Sequence, residues 1–137
     1  MFSQLKVSSI EAMSLIDDVL KQAARIRKDV AIGVCGPEGE LIAFVRMDGA
    51  SPAASRIAKN KAYTAAIDRK DTRLMGKFMT DENRPQTYWG DDQITGFGGG
   101  VTIRQEGVVV GGIGVSGLSE EEDEAIALAA IKAVFSK

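Results

Sequence analysis

The chain has 137 residues, of which 45% are hydrophobic and 26% are charged, and its net charge at neutral pH is −2. This length and composition are typical of one globular domain, so residues 1–137 are interpreted as a single domain. The slight excess of acidic residues argues against nucleic acid as a partner, because nucleic acid favours a clustered basic surface. No apolar run approaches the roughly 20 residues that a membrane-spanning helix requires, so we expect no membrane partner.

Histidine and cysteine usage limits the chemistry further. The sequence contains no histidine, which removes the commonest general base, zinc ligand and haem ligand. We therefore expect no zinc site and no Ser-His-Asp or Cys-His centre. The single cysteine, Cys35, allows no internal disulfide, and the N-terminus lacks a signal-peptide pattern, so we expect a cytoplasmic protein.

Local patterns predict helices and strands along the whole chain. Ser8 and Glu11 fit a capping box, and the apolar spacing behind them predicts a helix over about 9–27. The same arguments predict strands at 30–35 and 41–47, helices at 53–68 and 71–79, strands at 101–105 and 108–115, and a last helix after a second capping box at Ser119. Because the strands come in hairpins, we expect an antiparallel sheet covered by helices, which is an α+β fold.

Glycine is concentrated in one stretch, since nine of the fifteen glycines lie between residues 96 and 117. Glycine weakens a strand unless another backbone, a ligand or a sharp bend must come close. The run Gly98, Gly99, Gly100 lacks the G-K-[ST] ending of a P-loop, but its backbone N–H groups could bind an anion. The other interpretation is that the run only bends the chain into a strand beside another backbone.

Residues 112–117 match the G-x-G-x-x-G pattern between a strand and a helix. That helix opens with four acids, Glu120, Glu121, Glu122 and Asp123, which would repel a pyrophosphate at the place where it should dock. We therefore expect no nucleotide.

Other candidate residues each carry two open interpretations. Arg46 and Asp48 could stand at the mouth of a pocket, or Asp48 and Gly49 could form a turn that caps the next helix. Lys61, on an alanine-rich helix, is a solvated lysine unless that helix faces a pocket. The connection at 80–93 is long for a compact domain and carries Tyr88-Trp89, which could stack on a flat ligand or pin the connection to the body.

Three segments together resemble the GlcG/HbpS family, the haem-degrading domain family that includes the C-terminal domain of PduO-type proteins. They are residues 31–50 (AIGVCGPEGELIAFVRMDGA), 57–65 (IAKNKAYTA) and 96–124 (GFGGGVTIRQEGVVVGGIGVSGLSEEEDE), in the family's order and spacing. The resemblance implies a profilin-like fold, with an antiparallel sheet of about five strands flanked by helices. The fifth strand is expected around 93–95. The resemblance also implies a homo-oligomer.

For function, the resemblance implies a small-molecule-binding protein whose ligand is haem or another tetrapyrrole. Some members are encoded with glycolate, propanediol or glycerol utilisation genes, so a role accessory to such a pathway is expected. This chain departs from the family at Thr102, where many members have proline, and in lacking the histidine that some members use as a haem ligand. A hydroxyl at Thr102, a tyrosine, a methionine or Cys35 remain as candidate iron ligands.

We expect the ligand in one pocket, lined by Arg46, Asp48, Gly49, Lys61, Gly98, Gly99, Gly100 and Thr102. In that pocket Arg46 and Lys61 would pair with ligand carboxylates. Two alternatives stay open. The first is an enzyme acting on a small hydroxy acid or aldehyde, with Asp48, Lys61 or Glu106 as acid–base group. The second is a structural or regulatory oligomeric subunit.

Overall fold

The computed structural model describes residues 1–136, and its elements follow the predicted order. They are α1 (Ser9–Arg25), β1 (Ala31–Cys35), β2 (Leu41–Arg46), α2 (Pro52–Asp68), α3 (Thr72–Asp81), a 3-10 helix (Gln86–Trp89), β3 (Gly100–Gln105), β4 (Val108–Ser116) and α4 (Glu120–Phe135). Both capping boxes form, with Ser8 and Glu11 at α1 and with Ser119 and Glu122 at α4. The predicted α+β fold is confirmed.

The strands form one antiparallel sheet in the order β2-β1-β4-β3. In the described part of the chain the sheet has four strands, and the fifth strand expected around 93–95 is wrong. The backbone there is bound to a side chain of α2 instead: the Thr95 N–H donates to Thr64 Oγ1 at 3.0 Å, and that hydroxyl donates to the Gln93 carbonyl at 3.2 Å. A segment held in this way has no strand partner.

Helices cover both faces of the sheet. On one face, α1 and α4 pack on Ile32, Val34, Ile113 and Val115, and this is the main hydrophobic core. On the other face, α2 packs on Ala31 and Cys35 through its own alanines. No helix within residues 1–136 is both long enough and apolar enough to cross a bilayer.

Glycines of the sheet lie directly beneath α2, at positions 33, 100, 112 and 114. A Cβ atom at Gly114 would lie 2.2 Å from the Ala58 carbonyl oxygen and 2.5 Å from the Ala62 nitrogen. These distances leave no room for a side chain, so glycine on the strands and alanine on the helix let the two backbones touch. Close approach of another backbone therefore explains much of the glycine density in 96–117.

Candidate functional site

Two cavities flank residues 96–98, where the chain enters β3. The first cavity, of about 450 Å³, lies between α3 and the start of α4, and its lining includes Arg73, Gly76, Lys77, Thr80, Asp81, Gly96, Gly98, Glu120, Glu121 and Glu124. The second cavity, of about 410 Å³, lies between α2 and α4 and is lined by Ile57, Lys61, Phe97, Ser116, Leu118, Ser119, Glu120, Glu121 and Asp123. Helix α2 therefore does face a pocket, and Lys61 lies in its wall.

Lys61 is buried rather than solvated, with an exposed fraction of 2%. Its Nζ donates to the Val115 carbonyl at 2.8 Å and to Asp123 Oδ2 at 3.1 Å. Gly99, with φ of +121°, lies against the amine, and a Cβ atom at this position would be 2.7 Å from Nζ. The positive φ and the Val115 carbonyl oxygen, 2.8 Å from such a Cβ atom, require glycine here. Lys61 therefore contacts the glycine run, and that the two bind a ligand together stays a prediction.

Asp123 is the partner that the sequence reasoning missed. The residue is 1% exposed, and its Oδ1 accepts the Leu118 N–H at 3.1 Å. Burial lowers the pKa of Lys61 and raises the pKa of Asp123, since both charged forms lose solvation there. The available signal was the spacing of Asp123 from Ile126, Ala127 and Ala130, which places it on the buried stripe of α4.

Two backbone N–H groups of the glycine run bind neighbouring side chains rather than a free site. The Gly98 N–H donates to Glu120 Oε1 at 2.6 Å, and the Gly100 N–H donates to Thr72 Oγ1 at 2.8 Å. Thr102 follows the same pattern, since its N–H and its hydroxyl both donate to Asp71 Oδ1, at 2.9 and 3.2 Å. The structure thus favours the structural interpretation of Gly98, Gly100 and Thr102 over an anion site.

Arg46, Asp48 and Gly49 line neither of the two cavities. The Arg46 Nε donates to the Ala50 carbonyl at 2.8 Å, and the Gly49 N–H donates to Asp29. The helix that follows is capped by Ser51, which accepts the Ala54 N–H, and not by Asp48. The single pocket predicted between Arg46 and Lys61 is therefore corrected: among residues 1–136 Arg46 lines neither cavity beside residues 96–98, because its side chain binds the backbone that leads into α2.

The charges that line the first and second cavities differ from those expected of an anion-binding site. In the first cavity Arg73 and Lys77 stand against the four carboxyl groups of Asp81, Glu120, Glu121 and Glu124. In the second cavity Lys61 stands against the three carboxyl groups of Glu120, Glu121 and Asp123. Both cavities therefore carry a negative charge excess, which opposes the entry of an anionic ligand.

A third cavity, the aromatic cavity, has a different character. It measures about 250 Å³ and is lined by Asp68, Lys70, Leu74, Met75, Phe78 and Trp89. Phe78 and Trp89 contact edge to face with 6.0 Å between ring centroids, so Trp89 pins the 3-10 helix to α3. Phe78 remains 47% exposed, and this cavity combines apolar walls with one cation and one acid.

Two of the candidate iron ligands are unsuitable. Cys35 is 2% exposed, and burial raises the pKa of its thiol to about 12. The Tyr63 hydroxyl donates to Asp91 Oδ2, and this bond raises the Tyr63 pKa to about 12. Neither group readily forms the anion that binds iron.

Helices cover both faces of a small antiparallel sheet, and cavities lie where α3 and α4 meet it. This arrangement defines the class of protein as a layered α+β domain.

The model of the family described as "Haem degrading protein HbpS-like" matches residues 7–132, and the chain belongs to this family. The chain is 31% identical to Protein GlcG of Escherichia coli over 116 residues, which are 85% of each protein. It is 28% identical to the corrinoid adenosyltransferase PduO of Salmonella typhimurium, covering 84% of this chain and 35% of PduO. A crystal structure of a PduOC:heme complex superposes with a TM-score of 0.88 at 25% identity, covering 96% of each chain. The resemblance to the GlcG/HbpS family is thus confirmed.

Proposed function

We propose that the protein is a ligand-binding member of this family and that it binds a flat tetrapyrrole, with haem as the candidate. Membership of the HbpS-like family and the similarity to PduOC, which has been crystallised with haem, support the class of ligand. The observation that carries the proposal for this chain is the partly exposed Phe78–Trp89 pair on the aromatic cavity. Aromatic side chains of this kind pack well on a flat macrocycle.

By the character of its lining, the aromatic cavity suits a haem lying on the surface better than the two larger cavities beside residues 96–98. Haem presents a large apolar face and two anionic propionates. Four of the six lining residues of the aromatic cavity are apolar, and Lys70 provides a cation for a propionate. The first and second cavities, with their excess of carboxyl groups, would repel the propionates. We therefore place the ligand on the surface of α3 and the 3-10 helix.

Ligation of the iron would fall to a residue other than histidine, since the chain has none. Met75 lines the aromatic cavity, and a methionine thioether is a known axial ligand of haem iron. The side chain of Met75 is only 2% exposed, so packing rather than ligation would supply most of the affinity. Bound haem would supply a redox-active iron, while the chain's residues would hold and orient the macrocycle.

A haem titration tests the proposal, followed by the Soret band and by the fluorescence of Trp89, the single tryptophan. Saturable binding should be weakened about tenfold in Phe78→Ala, because this change removes an aromatic wall. Leu128→Ala is the matched control, since Leu128 is an equally exposed apolar residue on α4 (48% against 47% for Phe78). Loss of binding in Lys61→Arg or Thr102→Val, with Phe78→Ala unaffected, would move the ligand to the glycine run and overturn the placement.

The proposed role is accessory to the use of a small molecule such as a diol, glycerol or glycolate. The relative PduO is named a corrinoid adenosyltransferase, and a corrinoid is itself a tetrapyrrole-type macrocycle, which supports a link to such chemistry. Deletion of the gene should slow growth on one of these carbon sources while growth on glucose is unchanged. Unchanged growth on all of them would contradict the role.

A homo-oligomer is part of the same proposal. Its support is a group of apolar side chains on α1 and the segment before it: Phe2, Leu5, Ile10 and Met13 are 89%, 66%, 77% and 64% exposed. Several large apolar side chains left exposed close together in sequence are what a subunit contact would cover. Light scattering on the purified protein should give a multiple of the 14.6 kDa chain mass, and Ile10→Asp should lower it.

A further inference from the structure

Lys61 and the second cavity take no part in the proposed tetrapyrrole site. We propose that the Lys61 amine is a nucleophile that forms an imine with a neutral small aldehyde bound in the second cavity. This inference is independent of the proposed function, since the two ligands occupy different cavities.

The geometry leaves the amine one free position. A lysine nitrogen carries three N–H groups when charged, and Lys61 Nζ has two acceptors, the Val115 carbonyl and Asp123 Oδ2. Within residues 1–136 no third acceptor binds it. Lys61 lines the second cavity, and Gly99 contributes no side chain that would cover the nitrogen.

The surroundings favour the neutral amine that a nucleophile needs. Burial lowers the pKa of Lys61 and is the largest influence on it, although the carboxyl groups of Asp123 and Glu120 oppose the shift. Burial likewise raises the pKa of Asp123. Both shifts increase the share of the neutral amine beside the protonated acid, a state that exchanges with the Lys61–Asp123 ion pair by transfer of one proton. A desolvated lysine of this kind is the usual imine-forming group in proteins.

The reaction balances with the groups present. The Lys61 nitrogen attacks the aldehyde carbon, a C–N bond forms, and the carbonyl oxygen takes the proton of the Asp123 carboxyl group. The amine then returns a proton to Asp123, which passes it to the hydroxyl group of the carbinolamine. The C–O bond breaks, water leaves, and a protonated imine forms beside the Asp123 carboxylate without an oxidant or reductant.

The lining of the second cavity indicates the substrate class. Ile57, Phe97 and Leu118 provide apolar walls, and the hydroxyls of Ser116 and Ser119 can bind a polar substituent. Glu120, Glu121 and Asp123 disfavour an oxo acid, because its carboxylate would meet theirs. A short, uncharged aldehyde satisfies these conditions.

Reductive trapping tests the inference. The protein is incubated with propanal and cyanoborohydride, and the modified peptides are mapped by mass spectrometry. We expect one fast, saturable addition, equal to the mass of propanal less one oxygen, at Lys61. It should form about tenfold faster than at Lys59, an exposed lysine on the same helix. Lys61→Arg should abolish the fast addition and Lys59→Arg should leave it unchanged.

Two further trapping experiments test the role of Asp123 and the charge of the aldehyde. Asp123→Asn should slow trapping about a hundredfold, because it removes the proton-transfer group, while circular dichroism reports whether the fold is kept. Glyoxylate, a small anionic aldehyde, should label Lys61 far more slowly than propanal. The inference is overturned if, in the unmutated protein, Lys59 and other exposed lysines are modified while Lys61 is not. This outcome decides the question without reference to the variants.

Discussion

Lys61 and Asp123 form a buried ion pair with 3.1 Å between Nζ and Oδ2, and this pair joins α2 to α4 across the end of β4. The two residues are 62 positions apart in sequence, and their side chains are 3% and 2% exposed. Breaking a buried pair by removing one partner costs far more than removing both, since a single remaining charge has no compensation.

Asp123→Ala should therefore lower the free energy of unfolding by about 3–5 kcal/mol, because it leaves the Lys61 amine buried without a partner. The double variant Lys61→Met, Asp123→Ala should cost clearly less than the sum of the two single variants. Urea denaturation followed by circular dichroism measures all three. Additive costs would mean that the two side chains stabilise the fold independently.

Gly114→Ala should destabilise the protein by about 1–3 kcal/mol, because its methyl group would lie 2.2 Å from the Ala58 carbonyl oxygen beneath α2. Gly98→Ala is the matched control, since the nearest atom to its added methyl group lies at 3.4 Å, an ordinary contact. Thermal unfolding of the two variants should separate them clearly. Equal melting temperatures would show that α2 can move away from the sheet at little cost.

Loss of the Tyr63 hydrogen bond should lower the free energy of unfolding at alkaline pH. Its pKa is raised to about 12 by the hydrogen bond to Asp91, above the value of roughly 10 of a free tyrosine. A raised pKa in the folded state means that the stabilisation is present below pH 10 and is lost as the pH rises from 10 to 12. The difference in unfolding free energy between the unmutated protein and Tyr63→Phe should shrink over this window. A constant difference would contradict the prediction.

Cys35 should resist alkylation in the folded protein. Its thiol is buried beside α2, and burial raises its pKa to about 12, so little thiolate forms at pH 8. Iodoacetamide should modify it slowly in buffer and rapidly in guanidinium chloride, as measured by intact mass. Rapid modification without denaturant would reveal an opening of α2 from the sheet.

The order of helices and strands was predictable because the signals for it are local. Ser8 with Glu11 and Ser119 with Glu122 each act within one helical turn, and both capping boxes form. The strand expected around 93–95 was wrong because that segment's partner, the Thr64 hydroxyl, lies about 30 residues earlier on a helix. A contact of this range leaves no local pattern.

The candidate site was predictable only in part, for the same reason. Lys61 and Gly99 were assigned to one ligand pocket as a hypothesis, which stays a prediction. The burial of Lys61 depends on Asp123 and on the backbone of β4, which lie far from it in sequence. Arg46 was placed in the same pocket because nothing in the sequence shows that Ala50 would bind it. The sequence indicated one wall of the aromatic cavity. Trp89 was named as a side chain that could stack on a flat ligand or hold the connection to the body, while its partner Phe78 was not named for either role.

The contact between α2 and the central strands is made largely of backbone atoms and methyl groups. Such a contact has few rotatable side chains, so it absorbs a displacement by changing rotamers less readily than a leucine-filled interface does. Helix α2, β1 and β4 should consequently move as one rigid body, and Lys61 is carried on that body. Access to the second cavity must then be controlled from its other walls, by α4 or by the segment that bears Phe97.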